Sequence, residues 1–146
     1  MSELRISTDK AELDVPLIHR FLSTQAYWSQ GIPEATVARA VAGSLCFGGY
    51  VEGAGQVAFA RVVSDFATFA YLADVFVLPE HRGCGYSKQL VAGIMAHPQL
   101  QGLRRFMLAT SDAHGLYAQH GFTAPAYPQT LMEVLRPDIY VQARTA

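Results

Sequence analysis

Apolar positions along the chain switch between two spacings, and the switches mark its elements. Leu4 to Ser7 alternates briefly, as a short strand does. Val15, Leu17, Ile18, Phe21 and Leu22 then recur at helical spacing until the polar run Ser23-Thr24-Gln25. Tyr27-Trp28-Ser29-Gln30-Gly31-Ile32-Pro33 reads as a loop, and Pro33 suits the first turn of a second helix through Ala42. Leu45 to Val51 and Val57 to Val63 are β-prone, with Glu52-Gly53-Ala54-Gly55 as a hairpin between them and a second hairpin at Ser64-Asp65. Phe69 to Leu78 is nearly continuous in apolar residues, which predicts a strand buried on both faces near the sheet centre. Leu90, Val91, Ile94 and Met95 return to helical spacing, and Arg105 to Ala109 is a further strand. Asp112 is the expected N-cap of a helix to Gln119, with Gly121 at its left-handed C-terminal position. A last strand is predicted over Thr130 to Leu135.

No repeat, linker or low-complexity tract divides these elements, so residues 1–146 are expected to form one domain of mixed α and β structure. Composition agrees: 51% hydrophobic and only 16% charged residues describe a chain with a core rather than a disordered one. The net charge of -1 and scattered basic residues leave no face to track a phosphodiester backbone, so nucleic acid is not an expected partner. Apolar runs fall short of a bilayer span, no membrane partner is expected, and the charges among Met1 to Lys10 do not resemble a signal peptide. The expected location is cytoplasmic, with Cys46 and Cys84 reduced. The five histidines show no metal-ligand spacing, so no metal is implied.

The chemistry is concentrated in Val75-Phe76-Val77-Leu78-Pro79-Glu80-His81-Arg82-Gly83-Cys84-Gly85-Tyr86-Ser87, where a buried strand leads through glycines into a helix. Glycine lets the backbone take positive φ and approach a ligand closely, while the first amides of the helix are unpaired and point outward with the positive end of its dipole. Such a turn can hold phosphate oxygens. It is neither GxxxxGK[ST] nor GxGxxG, because Gly83-Cys84-Gly85 is followed by Tyr86-Ser87-Lys88. Taken alone, it is better read as a tight strand-to-helix turn with no ligand.

Arg82-Gly83-Cys84-Gly85-Tyr86-Ser87, entering a helix after Val77-Leu78-Pro79, resembles the [QR]xxGx[GA] signature of the GNAT superfamily of acyl-CoA-dependent N-acyltransferases, with Ser87 in place of the final Gly or Ala. A second family element, Tyr-x-x-x-Gly-Phe at the end of a helix, is matched by Tyr117-Ala118-Gln119-His120-Gly121-Phe122. The order of strands and helices is similar to the family along nearly the whole chain. The resemblance implies an α/β (α+β) fold with one mixed, mostly antiparallel sheet of about six to seven strands, splayed at the cofactor site and flanked by about four helices. The implied activity is direct transfer of an acetyl group from acetyl-CoA to an amine on a small molecule or a protein. The alternative is a non-catalytic acyl-CoA-binding or regulatory module. A homodimer remains open.

By the same resemblance, backbone groups of Val75 and Val77 would pair with the pantetheine arm. Amides of Gly83, Cys84, Gly85, Tyr86 and Ser87 would hold the pyrophosphate, with Arg82 supporting their loop. Tyr117 would stand near the thioester sulfur and protonate or hydrogen-bond the departing thiolate, its reference pKa of about 10 lying above the roughly 8.5 of a thiol; the competing reading is an aromatic plug at a helix end. An alkylammonium is neutral about once in 2,500 molecules at pH 7, a barrier of roughly 4.6 kcal/mol, so an aliphatic acceptor needs a base. Asp74, a lone carboxylate in an apolar strand, is the candidate, and an ion pair that fixes the strand is its alternative. His114 lies one helical turn before Tyr117 and suits a proton shuttle, or a hydrogen bond to Asp112. Tyr27 and Trp28 are candidates for a wall over the acceptor, or for core, and Phe66, Phe69 and Tyr71 for its other side. Thr110 stands where many relatives have Asn. Cys84 lies inside the phosphate loop and Cys46 in an apolar strand, so no covalent enzyme intermediate is expected.

Overall fold

A computed structural model describes residues 3–141. The strands are β1 (Arg5–Ser7), β2 (Leu45–Val51), β3 (Gly55–Ser64), β4 (Phe69–Val77) and β5 (Arg105–Leu108), and the α-helices are α1 (Val15–Thr24), α2 (Glu34–Ala42), α3 (Tyr86–Met95) and α4 (His114–Ala118). One sheet runs β1-β2-β3-β4-β5. Its first three pairings are antiparallel and β4–β5 is parallel, because α3 carries the chain back across the sheet between those two strands.

Local chemistry sets the joints. The β2–β3 hairpin closes with Ala54 N–H donating to the Val51 carbonyl at 2.9 Å, and Gly53 and Gly55 take its two positive φ values. The β3–β4 turn is organised by Asp65, whose carboxylate accepts from the Thr68 hydroxyl and from the amides of Ala67, Thr68 and Phe69. Those donors, the Thr68 hydroxyl foremost, hold its carboxyl well below the usual carboxylate range. Asp14 caps α1 by accepting from Leu17 N–H at 3.1 Å, with Pro16 in the first turn.

The sheet has a hydrophobic cluster on each face. Ile18, Phe21 and Leu22 of α1 and Val37 and Val41 of α2 pack on Phe59 and Phe76, with Phe21 and Phe76 stacked at 4.0 Å between ring centroids. Leu90, Val91 and Ile94 of α3 and Tyr117 of α4 cover Ala60, Val62 and Leu72 on the other face. The sheet's most buried strand is β3, where Val57 to Ala60 are fully buried. β4 is less enclosed than its apolar run predicts: Phe69 and Tyr71 are each 37% exposed.

Two further expectations are corrected. The predicted strand over Thr130 to Leu135 does not form, so the sheet has five strands rather than six to seven. After a 3-10 turn at Pro128–Thr130 the segment runs along no sheet edge, and an apolar pattern becomes a strand only where an edge receives it. The cap of α4 is not Asp112. Thr110 Oγ1 accepts from Ala113 N–H at 3.0 Å and from Asp112 N–H at 3.4 Å, and the helix stops at Ala118, one residue before Gln119. Gly121 does take the left-handed position that ends α4, at φ 93°, with Phe122 N–H donating back to the Tyr117 carbonyl at 3.3 Å.

Candidate functional site

The site begins with one extra residue in β4. Arg61 of β3 faces Ala73 and Phe59 faces Phe76, so two steps along β3 match three along β4. The surplus is a β-bulge at Asp74, which has φ 56°, a left-handed conformation that aspartate tolerates better than most residues. A bulge bends its strand and re-aims a side chain. Both effects are visible. β5 pairs with β4 only from Phe69 to Leu72, leaving Ala73 to Val77 with no strand on that side among the described residues. The Asp74 carboxylate points to the α1–α2 loop, where Oδ1 accepts from Trp28 Nε1–H at 2.8 Å, while Oδ2 accepts from Arg61 Nε–H at 2.9 Å. Arg61 also donates to Ser44 Oγ at 3.2 Å.

The cavity opened by this splay measures about 600 Å³ and is lined by Asp74, Val75, Trp28, Tyr27, Tyr71 and Tyr117 among others. Its loop wall is fastened at both ends. Trp28 is tied to Asp74, Tyr27 meets Trp28 edge to face at 5.0 Å between centroids, and the Tyr27 hydroxyl accepts from the Ser111 hydroxyl at 2.7 Å and from Ser111 N–H at 3.2 Å. The segment after α1 therefore bridges β4 and the chain that leaves β5. Tyr117 is 8% exposed, and burial pushes its phenol pKa up, with Asp112 and Tyr27 adding to the shift. The group stays protonated and serves as a hydrogen-bond donor across the neutral pH range.

Beyond Val77 the chain turns through the glycines. Gly83 and Gly85 have φ of 81° and 80°, and a Cβ at either would meet no atom within 4 Å, so the turn encloses open space on its glycine side. Gly85 is the N-cap of α3 and offers no side-chain cap. Among the described residues, the amides of Gly83, Cys84, Gly85, Ser87 and Lys88 donate to no protein acceptor; the first bond into the helix is Gln89 N–H to the Gly85 carbonyl at 3.2 Å. Arg82 braces the turn through Nε–H donating to the Val77 carbonyl at 3.0 Å. That contact engages one of the main-chain groups expected to face a pantetheine arm. The Tyr86 ring is buried against α3's hydrophobic cluster. A diphosphate bearing several unshared oxygens fits such a turn, because it brings acceptors to amides that have none.

Tyr117, Asp74, Tyr27 and Trp28 are thus gathered around one cavity, with Val75 on its edge. His114 is exposed and lines a neighbouring cavity outside β5, as does Tyr117. Phe66 and Phe69 do not line the cavity that holds Asp74, whereas Tyr71 does. Sequence reasoning missed Arg61, Ser111 and Tyr140, the last of which also lines this cavity. Arg61 had a signal, being a lone charge in an apolar strand beside one that carries a lone carboxylate. Ser111 and Tyr140 had none. Among the described residues, no group of three His, Cys, Asp or Glu side chains is placed to hold a metal ion.

A family model described as an acetyltransferase (GNAT) domain matches residues 42–124. The chain belongs to the GNAT family. The matched range holds β2 to α4, and with them the bulge, the glycine turn and Tyr117. A crystal structure of a provisionally assigned GNAT acetyltransferase from Xanthomonas campestris pv. campestris shares 64% identity and superposes with a TM-score of 0.92, covering 96% of this chain and 98% of that one. A provisionally named acetyltransferase of Gibberella zeae is 35% identical over 136 residues, 79% of this chain and 76% of its own length. The fold alone is shared with a provisionally assigned Clostridium acetobutylicum acetyltransferase solved with acetyl-CoA, which is 15% identical with a TM-score of 0.66 over 92% of this chain and 96% of that one. The GNAT architecture expected from the two motifs is therefore present, with fewer strands than expected.

Proposed function

We propose that this GNAT protein is an N-acetyltransferase that moves an acetyl group from acetyl-CoA directly to an amine seated beside Asp74. The observation that carries this reading is the splay of β4 from β5: it leaves a strand edge leading straight into a turn of unshared amides, with a buried phenol at its mouth. Val75 on that edge would pair with the pantetheine amides as a further strand would, and the amides of Gly83 to Ser87 would hold the diphosphate. Arg82 keeps the turn in shape by its bond to Val77.

The residues then divide the proton traffic. Each Asp74 oxygen accepts one hydrogen bond, from Trp28 or from Arg61, and has a second lone pair. The carboxylate would orient an ammonium acceptor and relay its proton to solvent, while the roughly 4.6 kcal/mol of deprotonation at pH 7 remains part of the barrier. The amine nitrogen bonds to the thioester carbonyl carbon, the carbon–sulfur bond breaks, Tyr117 donates a hydrogen bond to the thiolate as charge gathers on sulfur, and the nitrogen's surplus proton passes through solvent to the departing thiolate. Because burial raises the Tyr117 pKa further above that of a thiol, stabilisation of the charge is favoured over full proton transfer. His114, exposed one turn before it, is the group that would exchange protons with solvent. Tyr27, Trp28 and Tyr71 give the acceptor cavity aromatic walls, fitting an amine with an apolar body.

The test is thiol release from acetyl-CoA over a panel of aliphatic and arylalkyl amines, with CoA binding measured by calorimetry. Amine-dependent thiol release supports the reading. Tight CoA binding with no amine-dependent release favours a non-catalytic acyl-CoA-binding module, and absence of binding removes the cofactor site altogether.

A further inference from the structure

The cavity beside Asp74 takes one of its lining residues from the C-terminal part of the chain. From Thr123 to Tyr140 every side chain is exposed except the last, which is partly buried. Tyr140 is also the one residue beyond Tyr117 that lines the cavity. Its ring packs against the hydrophobic cluster of α1 and α2, whose Ile18, Leu22, Val37 and Val41 line the same cavity. The α1–α2 loop is fastened over the cavity by Trp28 to Asp74 and by Tyr27 to Ser111. Tyr140 has no such fastening: among the described residues its hydroxyl makes no hydrogen bond, so apolar packing alone holds the ring.

We propose that Tyr140 is a specificity-determining residue of the acceptor site, its ring packing on the apolar body of the amine whose nitrogen Asp74 receives. The inference rests on the reading of this cavity as an acceptor site and adds to it the residue that selects among amines. With the ring in place the cavity still measures about 600 Å³, inside the range of roughly 300–1,000 Å³ usual for small-molecule sites. The ring is therefore a wall and not a plug. Because packing alone holds it, it can shift to meet acceptors of different width, which the fastened loop cannot do. The lining charges agree with a cation. Arg61 and Asp74 neutralise each other, and among the described residues the Asp112 carboxylate has no cationic partner, so the cavity carries a net negative charge. A protonated amine answers that charge, and an aryl or branched alkyl body answers Tyr140 and the apolar side chains beside it.

The experiment titrates 2-phenylethylamine and ethylamine into the full-length chain with CoA present. Binding is read from the fluorescence of Trp28, the chain's single tryptophan and a lining residue of this cavity. The wild type should bind phenylethylamine more tightly than ethylamine. Tyr140→Ala should weaken phenylethylamine about tenfold, as expected when an aromatic contact and the area it covers are lost, and Tyr140→Phe should restore wild-type affinity. Tyr140→Leu keeps an apolar side chain on the α1–α2 cluster and should weaken phenylethylamine about threefold, which separates loss of the ring from loss of the tail's packing. In thiol release from acetyl-CoA, the ratio of kcat/KM for phenylethylamine over ethylamine should fall about tenfold in the Ala variant, through KM rather than kcat. Equal affinity in the Ala and wild-type proteins overturns the proposal. So does tighter binding in the Ala variant, which would make the ring an obstacle, and so does a wild type with no preference between the two amines. Thiol release that fails while these affinities hold would strike acetyl transfer and leave Tyr140 as the selecting wall.

Discussion

Asp74→Asn separates the two duties assigned to this carboxylate, because asparagine keeps its size and is at ease at φ 56°. The backbone bulge should survive. What changes is that the side chain has one acceptor oxygen where two are in use, and whichever way the amide turns, an NH2 faces either Trp28 Nε1–H or Arg61 Nε–H. It will turn its oxygen to the guanidinium and lose the indole, a deficit of about 1 kcal/mol. The loss of charge attraction adds to this. With Arg61 19% and Asp74 12% exposed in their side chains, the pair lies between a surface bridge worth under about 1 kcal/mol and a buried one whose disruption costs about 3–5 kcal/mol. A total of about 2–4 kcal/mol corresponds, for a chain of this length, to a fall in Tm of about 6–12 °C. The kinetic effect is separate: loss of a base lowers kcat by about a hundredfold or more. Scanning calorimetry and steady-state thiol release on one preparation read both. Trp28→Phe is the control, since it removes the indole N–H with part of the ring, should cost about 1 kcal/mol for the lost hydrogen bond, and leaves the carboxylate able to act. An Asn variant with wild-type Tm would refute the ion pair as a structural element. A lowered Tm with wild-type kcat would strip Asp74 of its chemical role and leave it as the strap of the α1–α2 loop.

Three further outcomes are expected. Gly85→Glu should abolish CoA binding in calorimetry, because the added carboxylate occupies the turn meant for a diphosphate; its Cβ meets no protein atom, so the cost to the fold is the strain of about 1–2 kcal/mol for a side chain at φ 80°, and normal CoA affinity would remove the pyrophosphate site. Tyr117→Phe should lower kcat about 10- to 150-fold, the equivalent of a hydrogen bond of about 1.5–3 kcal/mol to a charged group, with acetyl-CoA affinity unchanged. Because burial raises the Tyr117 pKa above 10, the wild-type rate should show no fall attributable to this phenol as pH rises to 10, and a lower alkaline limb that vanishes in the Phe variant would contradict the burial. Tyr50→Phe should hold or raise Tm, since the buried Tyr50 hydroxyl has no hydrogen-bond partner among the described residues. Burial raises its pKa, so its contribution to stability is intact below the unfolded phenol's pKa of 10.0 and is lost as pH climbs from there through the folded value. Unfolding scans from pH 7 to pH 11 should show a smaller alkaline loss for the Phe variant, and an equal loss would disprove that link.

Elements whose pattern is satisfied within the chain were legible from the sequence. β2 was predicted at its observed bounds, α1, β3, β4 and β5 within a few residues, and the glycine turn with its left-handed residues in place. Thr130 to Leu135 failed because the pattern reports what a segment can pair with, while a strand requires that an edge be in reach. Asp112 failed as a cap because α4 begins one residue later, with Ala113 at the N-cap, and Thr110 turns the preceding chain by accepting from the amides of Asp112 and Ala113. At the site, Tyr117, Asp74, Tyr27 and Trp28 were each nameable, but only the family resemblance, not the apolar pattern, brought them together. Their meeting depends on a bulge, which shifts register by one residue and leaves no trace in apolar periodicity when the residues on either side are Ala73 and Val75.

That bulge is where architecture and chemistry are coupled. Without the surplus residue, β4 would run straight beside β5 and its edge would be consumed by the sheet; with it, pairing ends at Leu72 and Ala73, Asp74 and Val75 line the cavity. The left-handed turn of the backbone is strained for any residue but glycine, asparagine or aspartate, and glycine there would have no carboxylate for Trp28 and Arg61. Aspartate meets both demands: it accepts the conformation and supplies the two bonds that keep it. The same two bonds fasten the α1–α2 loop over the cavity, and Tyr27 carries the fastening on to Ser111 beyond β5. The splay that admits a thioester and the wall that confines an acceptor are therefore consequences of one inserted residue. It follows that replacing the Asp74 carboxylate should lower stability and turnover together, whereas Trp28 bears on stability. They should separate at Gly85 and Tyr117, which touch the proposed cosubstrate without carrying the sheet.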